Sequence, residues 1–83
     1  MMYSIEWDKE PLRFLQKLEK QDAKRILDKL DEIALNPFHY LEHYEGDGYK
    51  LRIGDFRMII DVDRKRELLT IQVFDKRGRI YKK

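Results

Sequence analysis

The stretch Tyr49-Lys-Leu-Arg-Ile-Gly-Asp-Phe-Arg-Met-Ile-Ile-Asp-Val-Asp63 (YKLRIGDFRMIIDVD) decides the fold, because it contains a complete β-hairpin. Gly54-Asp55 is a two-residue turn with glycine in its first position, and alternating apolar residues flank it on both sides. A turn of this length fixes which residues lie opposite one another in the two strands. The stretch therefore predicts two antiparallel strands, Tyr49–Ile53 and Phe56–Val62.

A third strand is predicted over Glu67–Phe74, after the polar connection Asp63–Arg66. A four-residue connection pairs Ile60 with Leu69, and this register collects the apolar residues of all three strands on one face. That predicted core face consists of Leu51, Ile53, Phe56, Met58, Ile60, Leu69, Ile71 and Val73. The opposite face consists of Lys50, Arg52, Arg57, Ile59, Asp61, Leu68, Thr70, Gln72 and Phe74.

The N-terminal half predicts one strand followed by two helices. Residues 3–7 alternate between apolar and polar side chains, as a half-buried strand does. Two amphipathic helical stripes follow, separated at Gln21-Asp22 and ended by Asn36-Pro37, and Phe38–Gly48 is predicted to be irregular. The predicted fold class is α+β, in which a two-helix hairpin packs on one face of a three-stranded antiparallel sheet, in a single domain over residues 1–83.

Composition narrows the class of protein. The chain has 83 residues and no cysteine, so disulfides and thiolate metal sites are excluded. No apolar run is long enough to span a membrane and the N-terminus does not resemble a signal peptide, so we expect a cytoplasmic protein.

The charge is distributed unevenly along the chain. Residues 1–48 carry 7 Lys+Arg and 11 Asp+Glu, whereas residues 49–83 carry 11 Lys+Arg and 5 Asp+Glu, a net charge of +6. A basic C-terminal half predicts a surface that binds a polyanion.

Two arginines are predicted to lie directly opposite each other in the hairpin. The register pairs Arg52 with Arg57, and like charges in that position are destabilising. The nearest acid on the predicted face is Asp61. Two interpretations stay open, since the arginines either splay into solvent or form a clamp for a phosphate, which the planar guanidinium suits.

Two histidines raise the question of a metal or ribonuclease site. His39 and His43 are four residues apart, with Glu42 and Glu45 nearby. A zinc site there lacks a clear third ligand, and a ribonuclease pair requires both rings beside the basic face. We expect both histidines in a surface loop, and we predict no metal or other cofactor.

Three features together resemble the RelE/ParE toxin superfamily, and in particular the RelE-like mRNA interferases. They are the order of strand, helices and sheet, the stretch Tyr49–Asp63, and the ending KRGRIY (Lys76–Tyr81). The resemblance implies the toxin of a type II toxin–antitoxin pair, which enters the ribosomal A site and cuts mRNA. The ribose 2′-hydroxyl attacks the adjacent phosphate, leaving a cyclic phosphate and a free 5′-hydroxyl, without a cofactor. The implied partners are the ribosome, mRNA and a small RelB-like antitoxin, and a heterotetramer with the antitoxin is one arrangement.

The resemblance also assigns catalytic residues. Lys50 matches a lysine proposed to help activate the 2′-hydroxyl, and Arg57 matches an arginine that holds the scissile phosphate. Arg77 matches an arginine proposed to stabilise charge or protonate the leaving oxygen, and Tyr81 matches a terminal tyrosine that stacks on or orients the nucleotide. Arg52 stands where some relatives have a second lysine, and because arginine rarely acts as a base, Lys50 is the better candidate. The wider predicted RNA-binding set consists of Phe74, Arg79, Lys82 and Lys83.

Two other functions are compatible with the same fold. One is a non-catalytic inhibitor of DNA gyrase, as in the ParE branch, which typically lacks a complete set of these cationic and tyrosine residues. The other is an inactive relative that binds RNA or protein. The presence of Lys50, Arg57, Arg77 and Tyr81 together favours the nuclease.

Overall fold

The computed structural model describes residues 2–76, which form one mixed sheet with helices packed against it. In chain order the elements are β1 Ser4–Trp7, α1 Lys9–Lys17, α2 Lys20–Leu35, α3 Pro37–Tyr40, β2 Glu42–Glu45, β3 Gly48–Ile53, β4 Phe56–Asp63 and β5 Leu68–Lys76. The strand order is β1-β5-β4-β3-β2. Strand β1 runs parallel to β5, and every other neighbouring pair is antiparallel. The predicted α+β class is confirmed. The sheet has five strands and not the predicted three, because the predicted N-terminal strand β1 joins it and because β2 was not predicted.

The break between α1 and α2 lies at Leu18-Glu19 and not at Gln21-Asp22 as predicted. Asp22 is in the first turn of α2, where a carboxylate interacts favourably with the exposed backbone N–H groups and the helix dipole. The polar pair is therefore a helix-start signal that was read as an interruption. At the other end, α2 stops where the backbone N–H of Asn36 donates to Ile33 O, one residue before Pro37. Within residues 2–76, no helix has both the length and the apolar composition needed to cross a membrane.

Strand β2 was missed by the sequence analysis, which predicted an irregular Phe38–Gly48. Its four residues, EHYE, are all exposed. An apolar–polar alternation arises only where one face of a strand is buried, so this edge strand carries no such signal. The short helix α3, which begins at Pro37, delivers the chain to β2, and β2 then pairs with β3.

The hairpin between β3 and β4 has the predicted register. Ile53 lies opposite Phe56, and Arg52 lies opposite Arg57. Gly54 has a φ of +58°, whereas Asp55 keeps a negative φ, which is the pattern of a two-residue turn with glycine in first place. The glycine is thus required by backbone conformation, because residues with a Cβ are strained at positive φ.

We expect Gly54→Ala to lower the free energy of unfolding by about 1 kcal/mol or more, because alanine is strained at this φ. The new Cβ would also come within 3.2 Å of Arg25 Nη2. Chemical denaturation of the two proteins measures the difference. Asp55→Ala is the matched control, since that position has an ordinary backbone conformation. Equal stability of the Gly54→Ala and Asp55→Ala proteins would contradict this account of the turn.

The register between β4 and β5 differs from the prediction at both ends. Asp63 belongs to β4 and pairs with Leu68, whereas it was predicted to lie in the connection. The connecting turn is therefore residues 64–67, one position later than predicted. Asp63 accepts hydrogen bonds from the backbone N–H and from Nε of Arg66, both at 3.0 Å. These hydrogen bonds, with the backbone one contributing most, lower the pKa of Asp63. Because the turn is shifted by one position, Ile60 pairs with Ile71 and not with Leu69.

A β-bulge in β5 changes which side chains reach the core. Ile60 pairs with Ile71, but its neighbour Ile59 pairs with Val73, so Gln72 is an extra residue. Gln72 and Val73 are consecutively exposed, and Phe74 returns to the core with 6% of its surface exposed. The predicted positions of Val73 and Phe74 were therefore exchanged.

The core lies between the sheet and the two long helices. Its buried members are Ile26, Leu30, Ile33, Leu41, Leu51, Ile53, Phe56, Met58, Ile60, Val62, Leu69, Ile71 and Phe74. Phe14 of α1 packs edge-on against Phe74 with ring centroids 4.8 Å apart, which ties α1 to the end of β5. Because this face is filled by apolar packing, the polar residues of β3 and β4 are left on the opposite face.

Candidate nucleic-acid interface

The sheet face opposite the helices carries a group of cations at the β3–β4 hairpin. Lys50 and Arg52 lie two positions apart on β3, and Arg57 lies on β4 directly opposite Arg52. Lys50 and Arg57 are half-buried, and Arg52 is exposed. We call these three residues the cationic hairpin. They alternate with the core residues Leu51 and Met58, and the core therefore fixes the face to which they point.

Two of these cations are available to a ligand. Within residues 2–76, neither Lys50 nor Arg52 has a carboxylate oxygen within 4.0 Å. Glu42 lies opposite Lys50 in the β2–β3 ladder without forming such a pair. A phosphate can therefore pair with these two side chains without displacing a carboxylate of the described residues.

Arg57 has an acidic neighbour that the sequence analysis did not find. The bulge in β5 places Asp75 opposite Arg57, so Arg52, Arg57 and Asp75 form one row across three strands. The predicted nearest acid, Asp61, instead lies opposite Gly48 and Thr70. A carboxylate beside Arg57 offsets the like-charge repulsion between the two arginines, so the hairpin can hold them side by side.

The other predicted site residues fall into two groups. Phe74 was predicted to contact RNA, and this is wrong, because the bulge turns its ring into the core against Trp7, Phe14 and Phe56. Arg77, Arg79, Tyr81, Lys82 and Lys83 lie outside the described residues, and their roles stay predictions.

Aromatic side chains border the cationic hairpin on β2, which the sequence analysis had not identified as a strand. Tyr44 is 53% exposed, and the Nζ atom of Lys50 lies 6.0 Å from the centre of its ring. The only sequence signal for Tyr44 was its presence in a Tyr- and His-rich segment. Its proximity to Lys50 depends on the pairing of β2 with β3.

The two histidines are exposed, but they lie on α3 (His39) and β2 (His43) and not in a surface loop as predicted. His43 Nε2 lies 3.0 Å from Gly46 O, and the His43 ring packs edge-on against Tyr49. The His39 ring packs edge-on against Tyr40. Within the described residues, no group of three His, Cys, Asp or Glu side chains is arranged to hold a metal ion.

Comparison with known proteins identifies the family. A family model described as the ParE toxin of the type II toxin–antitoxin system parDE matches residues 5–81. A protein of Methanocaldococcus jannaschii named "Putative toxin RelE4" is 38% identical over 88 residues, covering 99% of this chain and 94% of that protein.

Solved structures share the fold. The RelE-RelB complex of Pyrococcus horikoshii OT3 contains a chain 29% identical to this one, with a TM-score of 0.78 over 95% of this chain and 99% of that chain. A chain of the RelBE2 toxin–antitoxin complex of Mycobacterium tuberculosis superimposes with a TM-score of 0.82 at 16% identity, over 93% of this chain and 100% of that chain.

Proposed function

This chain belongs to the RelE/ParE superfamily of type II toxins, and from that premise we propose that it is a ribosome-dependent endoribonuclease. In this proposal it acts in the cytoplasm on mRNA in the A site. The observation that carries the proposal is the cationic hairpin, in which Lys50, Arg52 and Arg57 share one face and two of the three have no acidic partner within residues 2–76.

The proposed reaction is an internal transfer of the phosphate. The ribose 2′-oxygen forms a bond to phosphorus, the bond to the 5′-oxygen of the next nucleotide breaks, and a 2′,3′-cyclic phosphate remains. The proton leaves the 2′-hydroxyl, and a proton is delivered to the departing 5′-oxygen. Negative charge builds on the phosphorane oxygens between these events, and fixed cations lower that barrier most when they are in place beforehand.

Each member of the cationic hairpin has a distinct role in this reaction. Arg57 holds the scissile phosphate, because it is the half-buried arginine and its position is fixed by a strand on each side. Arg52 supplies a second charge to the same phosphate. Lys50, in its neutral amine form, receives the proton of the 2′-hydroxyl, because an ammonium has no free electron pair to accept it and a guanidinium is effectively always protonated. Arg77 stabilises the charge or donates the proton to the departing 5′-oxygen, and Tyr81 stacks on or orients the nucleotide, which completes the proposed catalytic set.

The proposed partner in the cell is a small antitoxin. The 29% identical chain of known structure is a RelE bound to RelB, and residues 49–83 of this chain carry a net charge of +6. An antitoxin with an acidic segment would neutralise those charges and block access to the ribosome. One toxin paired with one antitoxin, doubled into a heterotetramer, is the proposed complex.

A second candidate function is inhibition of DNA gyrase. The observation that favours it is the family model itself, whose description is that of a ParE toxin. The two functions have different measurable effects. A ribosome-dependent nuclease creates new 5′ ends in mRNA, whereas a gyrase inhibitor stops DNA supercoiling.

We expect induction of the chain without an antitoxin to arrest growth within one generation time and to create new 5′-hydroxyl ends in translated mRNA. Primer extension on an mRNA with and without a functional ribosome-binding site tests for ribosome dependence. A gyrase supercoiling assay on the purified protein runs in parallel. Intact mRNA together with inhibited supercoiling would replace the first function by the second, and harmless overexpression would remove both.

A further inference from the structure

Tyr44 occupies an unusual place at the edge of the sheet. In the β2–β3 ladder, His43 pairs with Tyr49 and Glu45 pairs with Gly48, so Tyr44 is the extra residue of a β-bulge. A bulge redirects a side chain relative to the regular strand. Here the ring comes to lie beside Gly48, where a Cβ would be 3.8 Å from Tyr44 Cδ2. The ring therefore lies at van der Waals distance from β3.

The ring is both exposed and adjacent to a cation. More than half of Tyr44 is accessible to solvent, at 53%, and the ammonium of Lys50 lies 6.0 Å from the ring centroid. Tyr3, Tyr40 and Tyr49 are partly buried and pack against the core cluster, whereas Tyr44 is exposed. Core packing therefore does not account for an aromatic residue at this position.

We infer that Tyr44 is a base-stacking residue that receives the nucleotide on the Lys50 side of the cleaved bond. This inference rests on the proposed function for the direction of the RNA. Lys50 and Arg52 are two residues apart on β3, a separation of about 6.6–6.8 Å. An RNA strand that places its scissile phosphate at Arg52 and Arg57 thus brings the preceding ribose to Lys50 and its base to Tyr44.

The combination of ring and cation matches single-stranded RNA better than a protein or a duplex. Proteins that hold single strands combine cations along the backbone with aromatic rings on which bases stack. A duplex would hide the faces of its bases from the ring. Tyr44 is a different residue from Tyr81, to which the family resemblance assigns stacking.

The test measures binding to ribosomes programmed with an mRNA that carries 2′-deoxynucleotides in the A-site codon, so that no cleavage occurs. We expect Tyr44→Ala to raise the Kd by about 5- to 150-fold, the range for loss of one stacking contact. Tyr44→Phe keeps the ring and should remain within about threefold of the parent. Leu35→Ala is the control and should bind like the parent, because Leu35 is also an exposed apolar side chain, at 64%, but lies at the end of α2.

An abasic nucleotide at each of the three A-site positions in turn provides the decisive comparison. At one of the three positions, the abasic nucleotide should weaken ribosome binding by the parent protein but should hardly change binding by the Tyr44→Ala protein. The reason is that the missing base and the missing ring remove the same contact. Equal losses for the parent and Tyr44→Ala at all positions would overturn the inference, as would parent-like binding by folded Tyr44→Ala. If binding depended on the Tyr44 ring but unmodified mRNA were not cleaved, the proposed nuclease function would be wrong and the stacking inference would stand. Absence of any ribosome binding would overturn both.

Discussion

Replacement of Arg57 by alanine is expected to reduce the rate of mRNA cleavage by about 100-fold or more, the usual cost of losing a group that stabilises transition-state charge. Arg57 is the half-buried arginine of the cationic hairpin, with Arg52 opposite it on β3 and Asp75 opposite it on β5. Single-turnover cleavage on programmed ribosomes measures the chemical step. Arg57→Lys should lose about 10-fold, because it keeps the charge and loses the planar fork that binds a phosphate through two hydrogen bonds.

Two controls separate catalysis from folding for Arg57. The repulsion from Arg52 disappears in Arg57→Ala, but so does the charge beside Asp75, and these opposed effects should keep the change in unfolding free energy within about 1 kcal/mol. Arg13→Ala removes an exposed arginine from α1, which packs on the other side of the sheet. That control should cleave like the parent. Parent-like cleavage by folded Arg57→Ala would remove Arg57 from the site.

The β3–β4 hairpin could be predicted because all of its determinants are local. Gly54 sets the turn, and the alternating apolar residues of β3 and β4 on either side of it select one register. The cationic hairpin follows from that register without further information, since Lys50, Arg52 and Arg57 are the residues between the apolar ones. Sequence reasoning succeeded here because a one-residue slip would expose the core of both strands.

Strand β5 could not be placed from its pattern, because its apolar residues do not alternate cleanly. Leu68 and Leu69 are consecutive and both buried, and a bulge at Gln72 then shifts the rest of the strand. A bulge is stabilised by the packing of both faces, and that packing is a tertiary property. Because the bulge was not predicted, the predicted register did not place Asp75 opposite Arg57.

Strand β2 could not be recognised because none of its side chains is buried. Its pairing comes from backbone hydrogen bonds to β3, and backbone hydrogen bonds leave no trace in residue type. The adjacency of Tyr44 to Lys50 was lost with it. The part of the candidate site on the hairpin was therefore predictable, and the part contributed by its neighbouring strands was not.

The exchange of Val73 and Phe74 leads to the largest expected change in stability. Phe74 is 6% exposed, and its ring centroid lies 5.8 Å from Trp7, 4.8 Å from Phe14 and 5.7 Å from Phe56. Phe74→Ala should cost about 3–5 kcal/mol, the usual loss for a buried phenylalanine. A chain of 83 residues has roughly 4–12 kcal/mol in total. The melting temperature should fall on the order of 15–30 °C.

The neighbouring residue supplies the control, because the two side chains differ in burial and not in strand. Val73 is 41% exposed, so Val73→Ala should change the unfolding free energy by less than about 0.5 kcal/mol. Phe74→Leu retains most of the buried volume and should cost about 1 kcal/mol. The register predicted from alternation alone, without a bulge, requires the opposite order, with Val73→Ala damaging and Phe74→Ala mild. Thermal and chemical unfolding of these three variants therefore decides whether β5 carries the bulge, and with it whether Asp75 or another residue lies beside Arg57.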